Sequence, residues 1–223
     1  MTARRGAGPH PAAWRGAAAL AAAVLLRSAF AARAGSARFY LLTTGLAITW
    51  TGGALGAGPI PWRGDGWRPR PGSAARALIV VPVVSGAATF AVFYGAARAT
   101  RRHRILRRPV AGALRYADAG STPLVVLIAS GSAVAEELFF RGALWSGPRP
   151  LRTTTLAYAA STAATGNPAL VLAGLITSII FGWQRATTGG VLAPAVTHLT
   201  WSVLMLRYLP PLFRDAGRPP DFG

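Results

Sequence analysis

The 223-residue chain contains no cysteine and no lysine; all 24 basic side chains are arginine. Acids are also scarce, limited to Asp65, Asp118, Glu136, Glu137, Asp215 and Asp221, so the only two glutamates are adjacent and the formal net charge is +18. The absence of cysteine excludes disulfide frameworks, thiolate zinc sites and cysteine nucleophiles. Charged residues make up 13% of the chain, about half the roughly 25% of ordinary soluble domains, which leaves too thin a polar coat for a soluble enzyme. Disorder is excluded by the 52% of hydrophobic residues, far above what unfolded segments carry. What the chain has in quantity is long apolar sequence. The expected class is an all-α integral membrane protein of one compact unit.

A spanning helix takes about 20 mostly apolar residues. Runs of that kind cover 77–97, 122–145, 167–184 and 190–209; residues 39–57 qualify but are rich in Gly and Thr. Two runs are weaker: 17–32 is interrupted by Arg27, and 153–165 is short enough to be a half-helix packed inside the bundle. This predicts a polytopic bundle of about six to eight transmembrane helices. It divides into N-terminal helices with a polybasic loop (1–116), core helices (117–209) and a polar tail (210–223). The N-terminus also admits a secretory reading, because Arg4, Arg5 and Arg15 precede an alanine-rich core and small residues at 34–36. A first membrane helix with a snorkelling Arg27 fits the same residues. Residues 58–72 (GPIPWRGDGWRPRPG) read as a loop, with Trp62 and Trp67 suited to the membrane interface.

The densest charge run comprises Arg98, Arg101, Arg102, Arg104, Arg107, Arg108 and Arg115. By the positive-inside tendency this segment is cytoplasmic. A nucleic-acid partner is not expected, because the arginines flank apolar helices without interleaved stacking aromatics; anionic lipid head groups attract them for the same electrostatic reason.

Within the run PLVVLIASGSAVAEELFFRGALW, Glu136, Glu137 and Arg141 stand among apolar residues. Ionisable groups at membrane depth are costly and have partners and tasks. Glu137 and Arg141 are four residues apart with the acid on the N-terminal side, the favourable order for a pair on one helical face. Glu136 is rotated by about 100° from Glu137 and is left free for general acid or base work. The competing reading is that both glutamates merely pair with arginines to lock the bundle. His198 is the one histidine in a hydrophobic segment, since His10 lies in the N-terminal tail and His103 in the polybasic segment; Ser202 follows it by one turn on the same face.

The segment Ala135-Glu136-Glu137-Leu138-Phe139-Phe140-Arg141-Gly142 resembles the EExxxR motif of the CAAX protease and bacteriocin-processing family of intramembrane peptidases. The stretches Phe181-Gly182-Trp183 and Thr188 to His198 are similar to that family's last two core helices, and His198 falls where the family has the His of its HxxxN motif. The likeness covers roughly 123–207. Two positions depart from it. The family's FxxxH corresponds to Tyr158-Ala159-Ala160-Ser161-Thr162, so Thr162 stands in place of a histidine, and Ser202 replaces the usual asparagine. The resemblance implies an intramembrane endopeptidase acting on a membrane-associated peptide or protein. In it Glu136 deprotonates a water, Thr162 orients that water, and His198 with Ser202 stabilises the oxyanion, while Glu137 and Arg141 complete the motif. The family's metal-binding account fits poorly: a zinc site of three strong ligands would need Glu136, Glu137 and His198 together, with Arg141 competing for Glu137. No cofactor is expected. The same departures suit a second function, a catalytically impaired membrane adaptor or immunity-type protein on the same scaffold. A proton-coupled transporter is a third, with no second intramembrane acid to support it. The all-arginine, Ala-rich and Gly-rich composition suggests a bacterial plasma-membrane protein.

Overall fold

Apolar runs closed by Pro, Gly or Ser become helices throughout the computed structural model, which describes residues 11–64, 76–118 and 122–214. His10, Arg4, Arg5, Trp67, Arg68, Arg70, Arg218 and the acids Asp65, Asp215 and Asp221 lie outside the described residues. The order is α1 (Pro11–Ala31), α2 (Ala37–Gly56), α3 (Val81–Thr100), α4 (Arg104–Asp118), α5 (Thr122–Glu137), α6 (Pro150–Ala163), α7 (Pro168–Thr188) and α8 (Leu192–Arg214). A π-helical turn, Arg76–Val80, leads directly into α3, and a second, Leu138–Ala143, extends α5. No strand occurs among the described residues.

Local chemistry sets the boundaries. The Ser36 hydroxyl accepts from Phe39 N at 3.2 Å and starts α2. Asn167 starts α7: its Oδ1 accepts from Ala169 N at 2.9 Å, and Pro168 supplies a φ already suited to the first turn. Gly189, at φ 71°, ends α7 in the left-handed conformation that favours glycine.

Among the described residues four helical stretches are long and apolar enough to cross a membrane: Ala12–Ala31, Leu78–Thr100, Pro123–Ala143 and Pro168–Thr188. The chain is an all-helical membrane protein, and its spans correspond to the expected runs. α2 and α8 also have the length of a span, with more polar sequence. α2 carries Arg38 and four threonines, and α8 carries Thr197, His198, Thr200, Ser202 and Arg207. At 14 residues, α6 rises only about 21 Å, short of a hydrocarbon core of about 30 Å. It is the half-length helix that the run at 153–165 suggested.

The polybasic segment is the main departure from the sequence expectation. It is not wholly a loop, because Arg104–Asp118 is helical. Val110, Ala113, Leu114 and Ala117 recur at helical spacing and face the interior cavity, whereas Arg108 and Arg115 are exposed. The charge run concealed this apolar stripe.

Helix pairs α1 with α2, α3 with α8, and α6 with α7 form the closest packings, and α5 lies between α2 and α8. The core cluster centres on Trp50, whose ring lies 4.5 Å from that of Phe139 and 4.9 Å from that of Phe140. Glycine permits the closest approaches: a Cβ on Gly86 would stand 2.7 Å from both Thr197 O and Thr200 Cβ, where α3 crosses α8. At the same crossing the Thr197 hydroxyl donates to Pro82 O at 3.0 Å, supplying the interhelical polar contact that lipid cannot.

Gly86→Ala is expected to push α3 off α8 and destabilise the bundle by about 1–3 kcal/mol. Gly95→Ala, whose added methyl meets nothing within 4 Å, should leave stability unchanged. Thermal midpoints of the two variants in detergent, against the parent chain, check this; equal midpoints would refute the packing account.

Candidate active site in the membrane bundle

The π turn at the end of α5 makes the site. A turn closed five residues apart (Leu144 N to Phe139 O, 2.9 Å) widens the helix and brings consecutive side chains onto the interior face. Glu137, Leu138, Phe139, Phe140 and Arg141 are all buried in succession. Glu137 and Arg141 are both fully buried, and Arg141 Nη1 donates to Glu137 Oε1 at 3.0 Å.

Neighbouring helices complete the cage around Arg141. Its Nη2 donates to Ser178 Oγ at 2.9 Å and to Ser178 O at 3.2 Å. The rings of Tyr158 and Phe181 lie 5.1 and 5.4 Å from the guanidinium carbon, within reach of cation–π attraction. The Arg141 carbonyl accepts from Arg185 Nε at 2.8 Å.

His198 approaches from α8, and its Nδ1 lies 2.9 Å from Glu137 Oε1. An ionised carboxylate only accepts, so Nδ1 carries the proton and Nε2 is left for other work. The imidazole stacks on Phe181 at 4.7 Å with 28° between planes. Glu137 is therefore shared by Arg141 and His198, and the acid nearest His198 is Glu137 rather than the catalytic candidate Glu136.

Glu136 turns away from this pair and is half-buried. It does not stand alone, as helical rotation within α5 implied, because the Tyr158 hydroxyl of α6 donates to its Oε2. Glu136, Thr162, His198 and Ser202 all line one cavity of about 690 Å³ with mainly apolar walls. That cavity reaches Tyr116 and Val110 of α4. Glu137 and Arg141 lie behind the wall. Thr162 lies one turn beyond Tyr158, and its hydroxyl donates within its own helix, to Ala159 O at 3.0 Å and Tyr158 O at 3.1 Å. It can still accept a hydrogen bond but has no donor to spare. Gly174 of α7 packs directly behind it: a Cβ there would lie 3.0 Å from Thr162 Oγ1.

Glu137 Oε1 already serves Arg141 and His198, the His198 Nδ1 is spent on that bond, and a buried guanidinium would adjoin any bound cation. Among the described residues no group of three or more His, Cys, Asp or Glu is placed to hold one.

Sequence reasoning missed Ser178, Arg185 and the hydroxyl of Tyr158. Ser178 and Arg185 come from α7, at sequence distances that carry no spacing signal. Tyr158 was visible as a polar tip in a position read only as part of a motif.

Residues 118–204 match the family model described as type II CAAX prenyl endopeptidase Rce1-like. No curated protein and no solved structure matches the chain.

Arg141→Ala would leave Glu137 buried without its counter-charge, and is expected to destabilise the protein by about 3–5 kcal/mol. Replacing both partners, Arg141→Met with Glu137→Met, should recover most of that loss. Comparing thermal midpoints in detergent tests this; an Arg141→Ala midpoint equal to that of the parent would show that the pair does not hold the site.

Proposed function

We propose that the chain is an intramembrane endopeptidase of the CAAX protease and bacteriocin-processing type that cleaves a membrane-associated peptide or protein by glutamate-activated water, a reading supported by the match of residues 118–204 to the Rce1-like family model. The observation that carries this reading is that Glu136, Thr162, His198 and Ser202, from α5, α6 and α8, all line a single apolar-walled cavity.

The Oε1 of Glu136, not engaged by Tyr158, takes a proton from water as the oxygen attacks the carbonyl carbon of the scissile bond. Thr162 accepts a hydrogen bond from that water, the one role its committed donor leaves it. His198, held through Nδ1 by Glu137, donates to the developing oxyanion from Nε2 when it carries both ring protons, and Ser202 adds a second donor. The C–N bond then breaks, and the proton on Glu136 passes to the departing amine. Glu137 and Arg141 act on His198 by position and charge rather than on the substrate, and the mechanism draws on no metal. Lipids surround the protein, the arginine-rich segment at 98–115 faces the cytoplasm, and the membrane is a bacterial plasma membrane.

A second reading has one specific observation in its favour. Position 162 offers no hydrogen-bond donor where proton handling is needed, which suits a scaffold that keeps the buried pair and has lost its chemistry.

Glu136→Gln separates the two. Membrane fractions from cells expressing the parent chain or the variant would be compared by mass spectrometry of newly formed N-termini. Cleavage products present with the parent should fall by about 10² to 10⁴ with Glu136→Gln, the usual contribution of a general base. Equal product levels at equal expression would refute the peptidase reading and favour the scaffold.

A further inference from the structure

We infer that Tyr158 is a positioning residue for the catalytic carboxylate, and that its hydroxyl supplies the hydrogen bond to Glu136 that Thr162 cannot. The inference rests on the peptidase reading above and adds to it a residue that the motif spacing does not indicate.

A buried carboxylate acting as a base must present one oxygen to the water in a fixed direction. A carboxylate with no donor rotates and exposes either oxygen; one with a donor on one oxygen has the other defined as the base. Among the described residues, Glu136 has one hydrogen-bond partner, the Tyr158 hydroxyl on Oε2. Thr162, one turn along the same face of α6, gives its proton to its own helix backbone. Of these two hydroxyls, only that of Tyr158 is therefore given to the carboxylate.

Tyr158 is itself held rigidly. Its ring is buried, packs edge-on against Phe140 at 4.9 Å and lies 5.1 Å from the Arg141 guanidinium carbon. Gly174 of α7 sits against it, since a Cβ there would lie 3.2 Å from Tyr158 Cε1. One ring thus touches the buried ion pair and the catalytic acid together, so the position of Glu136 is referred to Arg141 through Tyr158. A phenylalanine would keep every ring contact and lose only the donor.

Tyr158→Phe tests this with three readouts on the full chain in detergent. The first is infrared: the carboxyl band assigned to Glu136 by its loss in Glu136→Gln should change frequency in Tyr158→Phe, while the thermal midpoint stays near that of the parent. An unmoved band would overturn the inference, whatever the fate of the peptidase reading. The second is rate: on the products that Glu136→Gln abolishes, Tyr158→Phe should slow formation by about 10- to 100-fold, the scale of removing one orienting hydrogen bond. A rate equal to that of the parent would overturn it. The third is rescue: Thr162→His should raise cleavage more in the Tyr158→Phe background than beside an intact Tyr158, because it returns a donor only where one is missing. An equal effect in both backgrounds would overturn it. If neither the parent nor any variant cleaves, the peptidase reading fails, and the infrared band alone still decides whether Tyr158 holds Glu136.

Discussion

A guanidinium with no access to water must be neutralised and hydrogen-bonded where it stands, and the arrangement of the bundle around Arg141 answers that demand at both terminal nitrogens, leaving Nε without a partner. Glu137 supplies the charge from one turn away, Ser178 of α7 supplies an acceptor at 2.9 Å, and the rings of Tyr158 and Phe181 cover the guanidinium with π faces. These contacts draw on α5, α6 and α7, and His198 brings in α8 through the same Glu137 oxygen. Loss of one buried charge partner costs several kcal/mol, so the four helices that carry the candidate site are tied to each other at the one place where separation is most expensive.

The rotation of about 100° per residue along α5 converts that constraint into a division of labour between two adjacent acids. Glu137 points into the closed interior, where its Oε1 serves both Arg141 and His198, whereas Glu136, one residue earlier, faces the cavity. The first acid is protected from solvent and orients His198; the second is left where a substrate can reach it. An arginine paired with Glu136 instead would fill the cavity with charge and leave no base. The apolar walls favour an equally apolar guest, which agrees with a substrate delivered from the bilayer.

Much of this was legible in the sequence, and what was not has a common cause. The helical runs, the short α6 and the i, i+4 relation of Glu137 to Arg141 all follow from local spacing, which a linear text preserves. The Glu136 to Tyr158 bond, the Ser178 support and the pairing of His198 with Glu137 rather than Glu136 span 22, 37 and 61 residues. No periodicity reports such distances. The helix α4 was hidden differently: its arginines dominate the composition and mask a stripe of Val110, Ala113, Leu114 and Ala117 that serves as cavity wall.

That wall ties the surface charge back to the site. Helix α4 is held at one end by Tyr116, whose hydroxyl donates to Phe30 O and whose ring stacks on Phe39 at 4.8 Å. Toward its other end Asn167 Nδ2 donates to Pro109 O at 2.8 Å. Asn167 is also the cap of α7, the helix that carries Ser178. Helix α4 is thereby joined to the α6 to α7 turn that follows Thr162. The seven arginines at 98–115, uninformative as a guide to chemistry, lie on a segment that includes part of the wall of the cavity that Glu136 lines.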